Sequence, residues 1–98
     1  MIAFHRDNSP WTKRWKEVCF EKGYEHIEVD LFETDIISQL KKKNASAILA
    51  HPVLSDYRTL LFTKSILNSI EKSGIKTFPN MDAFWHYNDK LAQKYIFE

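Results

Sequence analysis

Residues 45–51 read ASAILAH, and the fold turns on how this stretch is interpreted. From Ala47 to Ala50 every residue is apolar, and His51-Pro52 stops the run. A continuous apolar run this short, bounded by a turn signal, fits a strand covered on both faces at the centre of a parallel sheet. Residues 26–32, HIEVDLF, read differently. Ile27, Val29 and Leu31 alternate with Glu28 and Asp30, the pattern of a strand with one wet face, which belongs at a sheet edge. Two further short stretches, the apolar Ile2–Phe4 and the segment Ile75–Phe78 ended by Pro79-Asn80, complete a set of four expected strands.

Helical patterns separate these strands. Ser9 is placed to cap a helix that has Pro10 at its first position and Gly23 at its end. Trp11, Trp15, Val18 and Cys19 are spaced to form its apolar stripe. A second helix is expected over residues 35–43, with Ile36, Ile37 and Leu40 inward. The basic run Lys41-Lys42-Lys43 falls at its C-terminal end, where cations suit the dipole. The longest helix is expected to start at Ser55 or Asp56. It buries Leu60, Phe62, Ile66, Leu67 and Ile70 and stops at Ser73-Gly74. After Pro79-Asn80, residues 81–87 suggest a short turn. Asn88 caps a last helix carrying Asp89, Lys90, Leu91, Ala92, Tyr95 and Ile96.

Strands alternating with helices predict an α/β fold, a three-layer Rossmann-like domain. Right-handed crossovers and the wet second strand give a four-stranded parallel sheet in the order 2-1-3-4. The chain leaves its first and third strands in opposite directions, and ligands bind at such a switch point. The candidate substrate-binding residues are therefore His5, Arg6, Asn8 and Trp11 on one side and His51 on the other, with Asp7 and Asp56 nearby. The free N–H groups at the start of the first helix suggest a place for an anion. Polar residues are common in loops after strands, so simple solvation is the competing reading of these side chains.

Composition narrows the function. The chain has 98 residues, the size of one small domain, and is 44% hydrophobic, enough for a packed core. A formal net charge of +1 gives no electrostatic reason to expect a nucleic-acid partner. The single cysteine, Cys19, admits no internal disulfide and reads as a buried, inert thiol. The apolar N-terminal stretch is too short for a signal peptide or a membrane span, so no membrane partner and a cytoplasmic location are expected. Gly23 and Gly74 are the only glycines, which leaves no phosphate-binding glycine loop. His5, His26, His51 and His86 lack metal-ligand spacing, no metal site is expected, and no nucleophile stands beside an evident base. Trp85, His86 and Tyr87 read as a stacking patch or as packing.

The segment GIKTFPN (74–80) followed by FWHYNDKLAQKYIFE (84–98) resembles the end of the pre-ATP-grasp domain that precedes the nucleotide-binding part of ATP-grasp ligases. Phe78-Pro79-Asn80 matches the strand-ending turn, and Asn88-Asp89-Lys90 the start of the helix leading onward. With MIAFHRD (1–7), DIISQLKKKNASAILAH (35–51) and LLFTKSILNSIEKSGIKTFPN (60–80), the chain is similar to bacterial ATP-grasp proteins of the group found with surface-polysaccharide genes. The resemblance covers essentially the whole chain.

The resemblance implies residues 1–87 as the α/β domain and residues 88–98 as the start of a helix into an absent ATP-grasp domain. It implies ATP and magnesium as cofactors of the whole enzyme, with none for this piece. The reaction would be ATP-dependent activation of a carboxylate, then attack by an amine, a thiol or another nucleophile. Lys90 matches the lysine that reaches the nucleotide phosphates in several family members. The other reading of Lys90 is a solvated side chain in a helix's first turn. The 98 residues are expected to be inactive alone. Their partners would be the missing C-terminal domains and a small carboxylate or amine substrate, with a homodimer as a further option. The alternative from another class is a free-standing α/β interaction module without catalysis. A receiver-like module is disfavoured, because His51-Pro52 stands where its phosphoacceptor aspartate would be.

Overall fold

The computed structural model describes residues 1–51, 57–80, 82 and 94–97. Its elements run β1 (Ile2–His5), α1 (Pro10–Lys22), β2 (His26–Val29), α2 (Ile36–Lys42), β3 (Ala47–Leu49), α3 (Tyr57–Lys72) and β4 (Lys76–Phe78). All strand pairs are parallel and the sheet order is β2-β1-β3-β4. The expected three-layer α/β architecture and strand order are therefore found. The alternating HIEV segment forms an edge and the apolar AIL segment lies inside, as their exposure patterns require.

Register fixes what each face carries. Ile2 pairs with His26 and Ala47, and Phe4 with Glu28 and Leu49, so these side chains share one face. Ala3 pairs with Ile27 and Ile48 on the opposite face. That opposite face is the main core. Ala3, Val29, Ile48 and Ala50 are covered by Ile36 and Leu40 of α2 and by Leu60, Leu67 and Ile70 of α3. Each fully buried leucine or isoleucine stabilises the fold by about 1.5–3 kcal/mol.

Helix ends follow local chemistry. Ser9 Oγ accepts the Thr12 N–H at 3.2 Å, and Pro10 occupies the first turn, where its missing N–H costs nothing. Gly23 ends α1 at φ 70°, a left-handed conformation that favours glycine, and the Tyr24 N–H returns to the Cys19 carbonyl at 2.8 Å. Lys41 and Lys42 lie in the last turn of α2, at the negative end of its dipole, where the Lys43, Asn44 and Ala45 N–H groups also cap its carbonyls. Cys19 is buried, and burial pushes its thiol pKa up.

Three expectations need correction. Trp11 does not belong to the buried stripe of α1; it is 59% exposed, while Thr12 is buried beside the cap it helps to form. On α3, Phe62 is 49% exposed and Thr63 takes the buried position, one residue further round the helix. β2 ends at Val29 rather than Leu31, because the Asp30 carboxylate accepts the Phe32 N–H at 2.9 Å and turns the chain. Leu31 is nevertheless buried, held in the core from outside the strand. The start of α3 at Ser55 or Asp56, the turn at 81–87, the cap at Asn88 and Lys90 all lie outside the described residues. So does the junction between the two expected segments; nearby, Lys94 to Ile96 is helical.

Candidate functional site

The C-terminal ends of β1 and β3 lie side by side, since Phe4 pairs with Leu49. Beyond them the chain departs into α1 from one strand and towards α3 from the other. Two side chains meet across this divide. The Trp11 ring, one residue into α1, stacks on the His51 ring just past β3, with centroids 5.9 Å apart and planes 20° from parallel. His51 Nδ1 is enclosed and, among the described residues, has no hydrogen-bond partner. A buried imidazole nitrogen left without a partner is costly, and it is available to a ligand group.

Asp7 organises the loop between β1 and α1. Its Oδ1 accepts the Ser9 N–H at 2.9 Å, and its Oδ2 is buried, with no geometrically well-formed hydrogen bond among the described residues. Burial pushes the Asp7 pKa up, but hydrogen bonds from Thr12 and Ser9, with His5 nearby, outweigh this and hold it below its ordinary value. Asp7 is therefore an anion at neutral pH. It lies at the positive end of α1, the place where a bound anion was expected. A carboxylate already there disfavours a ligand anion and favours a ligand that brings a hydrogen-bond donor or a positive charge.

The other expected site residues do not gather at the Trp11–His51 stack. Arg6 is exposed, and its Nε lies 3.7 Å from Glu28 Oε2 on β2, on the far side of β1 from β3. Lys16 of α1 also pairs with Glu28, so this carboxylate is held by two cations. His5 also turns towards the β2 side. Its Nδ1 accepts the Leu31 N–H at 3.2 Å, and its ring meets Phe32 edge-on at 5.4 Å. Asn8 is exposed in the loop. Asp56, Trp85, His86, Tyr87 and Lys90 lie outside the described residues.

Phe32 was not singled out by sequence. It stands in the turn after β2, where no periodic pattern marks it, and it contacts Phe62 with ring centroids 5.4 Å apart. Thr12 was missed for a similar reason. The Ser9-x-x-Thr12 spacing marks a cap, and a side chain that helps satisfy a cap can be buried while remaining polar. Among the described residues no cluster of three His, Cys, Asp or Glu side chains could hold a metal ion. Among them no helix is long and apolar enough to cross a membrane. No protein-family model, curated protein or solved structure matches the chain.

Proposed function

We propose that this chain is the N-terminal, substrate-side α/β domain of an ATP-grasp carboxylate-amine or carboxylate-thiol ligase, of the group associated with surface polysaccharide. The Trp11–His51 stack carries this reading. It bridges the two departing segments at the switch point of a 2-1-3-4 parallel sheet, where open α/β sheets bind small molecules. The aromatic face offers a platform for an apolar or sugar-like surface. The enclosed His51 Nδ1 and the ionised Asp7 offer hydrogen-bonding positions beside it. This chemistry suits the amine component better than the carboxylate. ATP and magnesium would be held by the C-terminal domains, with Lys90 reaching the phosphates as a flexible point charge. The likeness of residues 74–80 and 84–98 to the family's junction supports the assignment of Lys90.

The test is made on the complete product of the native gene. With ATP, magnesium, a panel of carboxylates and amines, it should release ADP only when both substrates are present. The 98-residue chain alone should release none. In the complete protein Lys90→Ala should reduce ATP use by about ten- to a hundredfold, the loss of one charge-assisted contact. A gene product that ignores ATP, or a Lys90→Ala protein with unchanged ATP dependence, overturns the assignment. A second reading, an interaction module without catalysis, draws on the exposed Phe32 and Phe62. It would be favoured by a gene product that leaves ATP untouched yet binds another protein through that pair.

A further inference from the structure

His5 occupies a position that the proposed ligand site does not use. Its Nδ1 accepts the N–H of Leu31, a residue only 1% exposed. An imidazole nitrogen that accepts a hydrogen bond carries no proton, so this contact requires neutral His5 with its proton on Nε2. The same ring presses edge-on against Phe32, and Phe32 in turn packs on Phe62 of α3. One side chain at the end of β1 thus holds the turn after β2, and through it an aromatic contact with α3.

We propose that His5 is a proton-operated latch: protonation of its Nδ1 breaks the bond to the Leu31 amide and releases the Leu31–Phe32 turn from α3. The step moves one proton from solvent to Nδ1 and breaks no covalent bond. Protonated Nδ1 becomes a donor facing another donor, so the buried Leu31 amide loses its acceptor and the turn gains by moving away. Phe32 moves with it, because it adjoins Leu31 and its ring rests on the imidazole.

The surroundings oppose protonation on balance. Burial lowers the His5 pKa. Asp30 in the released turn and Asp7 in the β1–α1 loop pull it up, as does the Val29 carbonyl, while Arg6 adds to the lowering. From α3, Arg58 borders the Phe32–Phe62 pair and adds a further positive charge on that side. Because the folded-state pKa lies below the unfolded one, the folded chain binds fewer protons than the unfolded chain between the two values. The latch therefore adds stability above about pH 6.5 and loses it as pH falls through the folded-state pKa of His5. Asp30, carried in the same turn, attracts the protonated ring and so offsets part of the gain on release.

The experiment follows the histidine ring and the backbone amides of the wild-type chain by NMR from about pH 8 to about pH 5, the range in which histidine switches. As His5 titrates, the exchange protection of the Leu31 amide should fall about tenfold or more relative to Ile48 and Leu67, the loss expected for one orphaned buried donor. The Phe32 and Phe62 ring signals should change with the same midpoint. In His5→Asn the amide oxygen can accept the Leu31 N–H but does not titrate, so protection should be flat across the range. Leu31 protection that stays constant while His5 takes up its proton overturns the latch. The same transition persisting in His5→Asn also overturns it. The wild-type titration decides the matter by itself if His5→Asn does not fold.

Discussion

The two faces of the sheet are built from different side chains. On one, Ala3, Val29, Ile48 and Ala50 meet the aliphatic residues of α2 and α3, and none of these four is more than 6% exposed. On the other, rings predominate. Phe4 stacks on Trp15 at 6.4 Å and meets His26 at 5.6 Å, and Trp15 meets Phe78 at 5.8 Å. Phe4 is fully buried there, but Phe78 remains 56% exposed, and the Trp11–His51 stack continues the row of rings to the end of the sheet. Aliphatic packing excludes water and supplies stability without offering polar atoms. Rings with nitrogen atoms pack and also present a flat face and a hydrogen-bonding edge. The first face holds the fold, and the second is where rings and their polar edges are presented.

That division predicts unequal costs of substitution. Leu67→Ala, fully enclosed between α3 and the sheet, should lower the free energy of unfolding by about 2–5 kcal/mol, measured by urea denaturation. A loss below about 1 kcal/mol would mean that the aliphatic face is not the principal core. Ser9→Ala removes the side-chain cap of α1 and should cost about 1 kcal/mol, while the strand order stays intact.

Acid should act next, through Asp7. Its folded-state pKa is depressed, so the unfolded chain binds more protons in the acid range. The stability it contributes is complete above its unfolded value of about 4 and is lost as pH falls through the folded value. Asp7→Asn keeps an oxygen for the Ser9 amide but removes the titration. The acid limb of its stability curve should be shallower than that of the wild-type chain, and an unchanged limb would place the effect elsewhere. Phe20, 84% exposed on α1, sets the lower end of the scale. Phe20→Ser should alter stability by no more than about 0.5 kcal/mol.

The faces differ also in how far the sequence revealed them. Alternation in residues 26–32 against the unbroken run 47–50 placed β2 at an edge and β3 inside, since side-chain period and burial are directly linked in a sheet. Ser9, Pro10 and Gly23 marked the ends of α1 through backbone requirements that act locally. The positions misplaced are those decided by tertiary contact. Trp11 looked like a core residue by spacing, but it stacks on His51, forty residues away. Phe62 and Thr63 exchanged roles because helical spacing alone leaves the orientation of α3 uncertain by one residue. Of the candidate site, the sequence named Trp11 and His51, whose rings the structure brings into contact. It did not separate them from His5 and Arg6, whose partners lie towards β2 and are remote in sequence: Leu31 for His5 and Glu28 for Arg6.

The central claim is that the ring-lined end of the sheet, at Trp11 and His51, receives a small molecule bearing a hydrogen-bond donor. It is tested most directly by NMR titration of the chain with small primary amines, amino acids and amino sugars among them. The account predicts saturable shifts of the His51 ring and the Trp11 indole, joined by the backbone amides of Asp7 to Thr12. Saturable shifts confined to Phe32 and Phe62, with His51 and Trp11 unmoved across the panel, would contradict it.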